Sequence, residues 1–398
     1  MTRLETPLRT WRVVATVVAA LVCAGLPVFL VGALSPWITA DLGLDPAAIG
    51  MVVGTFFLAS AAAAVPGGAI VDRIGASTGL RVGVLLAATA AIGIGGFADG
   101  LGWLLVLIVL ASCAVPLVDT GSARAIRAAV PIEGQGLAFG SKEAGVPGAS
   151  LLAGVAVPTI GAQVGWRPAF LGAAALAVLV GLLVVPGGID VAPRPTGPSV
   201  AGEMAPVGAA GGTRTLRLLV LATAMAGAAA TAAPAFLVPA VVSLGTTVAA
   251  AGILLAVGSA AGITTRLVAG LVADRTRVDE LPLTATLMAV GTLGLLALSS
   301  GRTWAMVPGA ILALGAGWGW TGLAFLGAVR LVPVRPAAAA GQVLAGLMLG
   351  GAAGAAGFGW LVAGPGYLRA WQAAALAMAV GALLAGLAAR QRPAISTA

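Results

Sequence analysis

The sequence predicts an all-α membrane protein of twelve transmembrane helices arranged in two pseudo-symmetric six-helix bundles. Three observations carry that prediction. The 398 residues are 60% hydrophobic and only 9% charged, with a mean hydropathy of +1.08. Soluble domains are roughly 45–50% apolar and about 25% charged, so this chain lacks the polar surface a water-soluble fold needs. Lys and Arg alternate between the two sides of the membrane. The two halves of the chain also repeat one another.

A span needs about 20 apolar residues to cross a hydrocarbon core of roughly 30 Å, and twelve such stretches follow in order. The first, 13–34, comes after Arg3, Arg9 and Arg12 and holds Pro27 and Phe29. Its apolar run is too long for a signal-peptide core, so it is read as a retained helix. The second, 47–71, ends at an Asp-Arg pair, and the third is 80–98. The fourth, 103–123, opens at Trp103 and holds Asp119, with Arg124 and Arg127 just beyond. The fifth, 137–162, carries Lys142 and Glu143 one to two turns in, and the sixth, 167–187, opens at Arg167.

From Pro186 to Arg214 the chain holds Pro193, Pro195, Pro198 and Pro206, and it reads as a flexible linker. The seventh span, 216–243, contains Pro234, Phe236 and Pro239; the eighth, 247–272, contains Arg266 and precedes a second Asp-Arg pair. Prolines in spans 1 and 7 are expected to bend them. The ninth is 281–300. The tenth, 303–329, has Trp304 at one end and Trp318-Gly319-Trp320-Thr321 at mid-depth. The eleventh, 337–363, includes the Gly/Ala run Gly350 to Gly357, a poor helix in water that lipid enforces, because there the backbone must bond to itself. The twelfth is 367–388. The expected organisation is a first bundle at 1–187, a linker at 188–214 and a second bundle at 215–398. The 59 glycines suit a packed bundle, since small residues let membrane helices approach closely.

With the N-terminus inside, eighteen of the 21 Lys and Arg fall on the inner side, and only Arg167, Arg302 and Arg369 fall outside. Cytoplasmic loops carry the basic excess. That rule places both termini in the cytoplasm, and the cell's inner membrane is the expected location. The net charge of +8 is thus a topology signal, and no nucleic-acid partner is expected. Histidine is absent and the two cysteines, Cys23 and Cys113, fall inside spans. Imidazole catalysis, His-bound metals and disulfide scaffolds are excluded, and neither metal nor cofactor is expected. No phosphate-cradling Gly-x-x-x-x-Gly-Lys-Ser/Thr occurs. No cluster with catalytic spacing supports an enzyme.

Shifted by 202 residues, Gly50 falls on Gly252, Gly68 on Gly270, Asp72-Arg73 on Asp274-Arg275, and Arg167 on Arg369. Repeated six-span halves place a substrate site near the midplane between them. At Gly68-Ala69-Ile70-Val71-Asp72-Arg73-Ile74-Gly75 the sequence resembles the loop motif of the major facilitator superfamily, although the trailing basic residues are replaced by Ala76 and Ser77. The second copy keeps Gly270, Asp274 and Arg275 and lacks the second Gly. The resemblance covers twelve spans, the linker and both loops. It implies a conformational latch built from Gly68, Asp72, Arg73 and Gly75, with Arg124 as partner of Asp72, and from Gly270, Asp274 and Arg275. It also implies a cavity lined by spans 1, 4, 7 and 10. The stretch Gly136 to Gly148 resembles a subset of bacterial facilitators, in which Lys-Gln often stands at the place of Lys142-Glu143. The Gly-Pro signature of drug antiporters is out of order at Val146-Pro147-Gly148.

Ionisable groups inside spans are functional candidates by default. Here they are Asp119, Lys142, Glu143 and Arg266. The first three lie in the inner half of the first bundle, where they can meet across spans 4 and 5. Two uses stand side by side: substrate or proton handling, or a structural ion pair. Glu143 is about 100° round the helix from Lys142, so the two need not share a cavity. Arg266 is assigned to support of the second loop. The second bundle's candidates, with Phe29, are Phe236, Trp318, Trp320 and Thr321. Trp11, Trp37, Trp103, Trp166, Trp304 and Trp371 are expected as interface anchors.

The function expected is a monomeric secondary transporter of a small organic solute, working by alternating access and driven by protons. Carboxylates would do the coupling, since there is no histidine. A proton-driven exporter of hydrophobic drugs or metabolites, a channel and a transport-inactive membrane sensor are the alternatives.

Overall fold

The computed structural model describes residues 5–131, 134–184, 210–275, 279–332 and 336–391, and these are helical throughout apart from short turns. Among the described residues eleven helices are long and apolar enough to cross a membrane; a shorter apolar helix, Arg167–Leu182, stands in the sixth place. The expected linker falls almost entirely outside the described residues.

Span 1 is α1 (Glu5–Ala33), followed by the short α2 (Ser35–Leu42); spans 2 and 3 are α3 (Pro46–Ile74) and α4 (Ala76–Phe97). Span 4 is broken into α5 (Leu101–Ser112) and α6 (Ala114–Ala129). Span 5 is broken into α7 (Gln135–Glu143) and α8 (Gly145–Ala156), continuing through a π-helical turn, Val157–Gly161, into α9 (Ala162–Val164). Span 6 is α10 (Arg167–Leu179) with a π segment, Val180–Val184. Spans 7, 8 and 9 are α11 (Ala210–Val242), α12 (Val248–Arg275) and α13 (Glu280–Ser299). Span 10 is broken into α14 (Thr303–Gly319) and α15 (Thr321–Leu331), and spans 11 and 12 are α16 (Pro336–Ala363) and α17 (Tyr367–Arg390).

Several breaks follow from proline chemistry. A proline has no N–H, so the carbonyl four residues earlier loses its helical partner. Pro116 frees the Ser112 carbonyl, which accepts a bond from the Ser60 hydroxyl of span 2 at 3.3 Å. Pro36 frees the Gly32 carbonyl, which accepts from Ser35 Oγ at 2.8 Å. Pro147 frees the Glu143 carbonyl, and an arginine of span 8 fills that vacancy, as described below. In hydrocarbon an orphaned carbonyl is costly, so each break is closed by a nearby or neighbouring donor. Pro27, Pro234 and Pro239 all lie inside α1 and α11.

The halves meet along two seams, spans 2 with 11 and spans 5 with 8. Both are made by small residues. A methyl group added to Gly50 would stand 2.9 Å from the Cα of Gly359, and one added to Gly54 would stand 2.8 Å from the Ala352 carbonyl oxygen and 3.3 Å from Ala356 Cβ. In the other seam, one added to Gly154 would lie 2.7 Å from the Ala256 nitrogen, while Gly252 lies against Val157. The two seams are copies: the 202-residue shift carries Gly50 and Gly359 onto Gly252 and Val157, and Gly54 and Ala356 onto Ala256 and Gly154. The repeat legible in the loops is therefore also written into the packing. Spans 1 and 7 close at the same end, where a methyl on Gly32 would fall 2.7 Å from the Ala235 Cα.

Toward the Arg-rich ends the halves part. There α6 packs on α1, α3 and α4 of its own half. α15 packs on α11, α12, α13 and α16, and touches the first half only lightly, at α7. Contact across the halves continues mainly along spans 5 and 8, with Gly140 against Gly270. The molecule is closed at one end and opens a crevice toward the other.

Candidate functional site

The crevice floor is charged. Lys142, at the C-terminal end of α7, donates from Nζ to Asp119 Oδ1 of α6 and to Glu143 Oε1 at 3.0 Å. The Lys142 side chain is 6% exposed, whereas Asp119 is 40% and Glu143 22% exposed. The lysine is enclosed while its two acids stay partly exposed. Neighbours 100° apart on one helix still pair with each other here, because the lysine chain is long enough to fold back to its own successor.

Arg266 of α12 extends the cluster across the seam. It is 4% exposed. Its Nη1 donates to the Glu143 carbonyl oxygen that Pro147 frees, and Nη2 donates to the Trp318 carbonyl oxygen at 3.0 Å. Its guanidinium lies 5.6 Å from the Trp318 ring centroid. Phe29 of α1 meets that ring edge-on at 5.8 Å. Spans 1, 4, 5, 8 and 10 thus converge on one site. This corrects the expectation for Arg266: it turns into the interface between the halves instead of supporting the second loop. Pro147 was the sequence signal, since it announces an unpartnered carbonyl at Glu143.

Two other aromatic candidates lie elsewhere. Trp320 is fully buried and donates from Nε1 to the Gly317 carbonyl oxygen at 2.8 Å, which is a packing role. Phe236 is buried against Phe358 at 4.7 Å, and it borders a cavity of about 60 Å³ at the closed end with Ser35, Thr39 and Tyr367. Thr321 is buried, and its hydroxyl has no partner among the described residues. Trp166 and Trp371, expected as anchors, are buried too. Trp166 donates to Asp41 Oδ2 at 3.1 Å, and Trp371 packs on Phe358 at 4.7 Å. Trp11, Trp103 and Trp304 do face outward.

The loop residues take these places. Gly75 ends α3 and starts α4 at φ +86, a left-handed backbone that favours glycine. Arg124 Nη1 donates to Asp72 Oδ1 at 2.6 Å and to the Val71 carbonyl oxygen at 3.4 Å. Gly68 lies near Thr120 of α6, and Arg73 is exposed. In the second half Gly270 lies against Gly136 and Gly140 of α7, and Arg275 is exposed. The Asp274 side chain lies outside the described residues. A further ion pair there joins Arg330 Nη1 to the buried Glu280 Oε2 at 2.9 Å, tying α15 to α13. Sequence reasoning missed Glu280, which stands at a helix start like any capping acid.

Two repeats closed at one end, open at the other and meeting at a charged floor define the architecture of a secondary transporter. The chain matches the Major Facilitator Superfamily over residues 17–344 and belongs to that family. Its fold is similar to that of a bacterial homolog to the human lysosomal transporter Spinster in an inward-facing and occupied conformation. The TM-score is 0.71 at 17% identity, over 96% of this chain and 97% of that one. The inward-facing, unoccupied form of that bacterial homolog gives a TM-score of 0.66 at 17% identity, over 96% of each chain. No curated protein matches the chain in sequence. The family and the twelve-helix fold are those the sequence predicts. The protein is a multi-pass membrane transporter that works by alternating access.

Proposed function

We propose that the chain moves a small organic solute across the inner membrane in exchange or in company with protons, and that Asp119, Lys142 and Glu143 are the coupling cluster. The single observation that carries this is one enclosed lysine shared by two partly exposed acids. Two carboxylates compete for one cation, so a proton can take the lysine's place on either acid at modest cost, and its arrival frees the lysine to turn. Solvated pairs cannot do this, because water equalises the two states. In this reading the Arg-rich face is cytoplasmic, the structure is the inward-facing state, and both termini lie in the cytoplasm.

The bundles are 1–187 and 215–398, joined by the linker 188–214, and one chain forms one transport unit. The Asp72–Arg124 pair acts as the latch. Both side chains are partly exposed, so the pair is worth at most about 1 kcal/mol. That magnitude suits a contact remade in every cycle.

The test is a substrate-panel uptake and efflux assay in proteoliposomes with an imposed pH gradient. Gradient-driven movement that disappears in Asp119→Asn/Glu143→Gln, while downhill movement persists, is the expected result. Undiminished gradient-driven movement in that double variant would overturn the coupling assignment.

A further inference from the structure

Arg266 is the buried charge to which the coupling cluster gives no task. A guanidinium has five N–H donors in a planar fork. Two directions of the fork end on main-chain oxygens, of Glu143 and Trp318. Its Nε is buried and has no acceptor among the described residues. The acid beside it, Glu143, directs its carboxylate to Lys142 and offers Arg266 only its carbonyl.

A second buried donor stands on span 10. Thr321 follows Trp318 by three residues on span 10, about one helical turn, and its hydroxyl is enclosed without a partner. A buried cation with a free donor, a free hydroxyl and the Trp318 ring 5.6 Å from the guanidinium form a polar end and an apolar wall. The complementary ligand is a planar anion with two acceptor oxygens and an organic body.

We propose that Arg266 and Thr321, with Trp318 as the wall, anchor the carboxylate of the transported solute, so that the substrate class is small organic acids. Lys142, which its two acids already occupy, is not free for that role. The proposal rests on the transporter reading and adds the substrate class to it. Charge balance then ties it to the coupling cluster. Asp119 and Glu143 oppose Lys142 and Arg266, two against two. Spans 1 and 10, which pack on the pair, carry no Asp, Glu, Lys or Arg from 13 to 34 or from 303 to 329. An entering carboxylate leaves the site one negative charge in excess, and one proton on Asp119 or Glu143 restores neutrality.

The experiment titrates the purified full-length chain with acetate, lactate, succinate and benzoate, each against its own amide, and reads tryptophan fluorescence. At least one carboxylate is expected to bind while its neutral amide does not. Arg266→Gln should weaken that binding at least tenfold, Thr321→Val by threefold to tenfold, and Arg266→Lys, which keeps the charge and loses the fork, by an intermediate factor. A pH indicator in weak buffer should register one proton taken up per carboxylate bound. No binding by any carboxylate, binding of acid and amide alike, or affinity within twofold of wild type in a folded Arg266→Gln chain overturns the anchor. If Arg266→Gln does not fold, Arg266→Lys and Thr321→Val decide on the same criterion. Binding without proton uptake would sustain the anchor and overturn the coupling cluster, so the two readings fail separately.

Discussion

Replacing Lys142 by Gln strands two acids that the structure holds on one cation. Breaking a buried ion pair by removing one partner costs about 3–5 kcal/mol. Here Asp119 is 40% exposed and Glu143 22% exposed, so solvent screens part of that cost, and a loss of about 2–3 kcal/mol is expected. Adding Asp119→Asn to Lys142→Gln removes one stranded charge and should recover about 1–2 kcal/mol, although Asp119→Asn alone destabilises. The assay is thermal unfolding of the purified variants followed by tryptophan fluorescence. The three melting temperatures should be non-additive, with the double variant above Lys142→Gln. Strictly additive losses, or a double variant less stable than either single one, would refute an energetic link between these side chains.

Other outcomes follow from the same structure. Arg330→Gln removes the cation that Arg330 places on the buried Glu280 and should cost about 2 kcal/mol; a melting temperature within a degree of wild type would mean the pair is idle. Gly50→Leu drives a side chain into the Gly359 backbone, a strain of about 1–3 kcal/mol. It should raise labelling of cysteines placed at the closed end, and unchanged labelling would count against the seam. Asp72→Asn removes a half-exposed pair worth at most about 1 kcal/mol. It should leave the melting temperature almost unmoved while shifting the population away from the inward-facing state that holds the pair, and an unshifted population would remove the latch.

The fold was legible because the bilayer enforces it. Span length, the Lys/Arg alternation and the 202-residue repeat each report a constraint that lipid imposes on any sequence. The site was legible only as far as charge goes. Asp119, Lys142 and Glu143 stand out in an apolar stretch, and their helical depth is enough to bring them together. Arg266 shared that signal, but sequence position drew it to the neighbouring loop. Its true partner is a carbonyl, and carbonyls carry no residue letter; only Pro147 hinted at it. Trp166 and Trp371 misled for a related reason. A tryptophan near a span end looks the same whether it faces lipid or turns inward, and the acid that claims Trp166, Asp41, lies 125 residues away.

The central claim is that two halves rock about mirrored seams and that the acids on the crevice floor bias the motion. Spin labels at residues 40 and 247, placed on a chain carrying Cys23→Ala and Cys113→Ala, report the closed end directly. Pulsed electron–electron distance measurements in lipid nanodiscs should give two distance populations whose ratio changes between pH 5 and pH 8, and that change should vanish in Asp119→Asn/Glu143→Gln. A single distance, or a ratio with the same pH dependence in the double variant, would contradict the account.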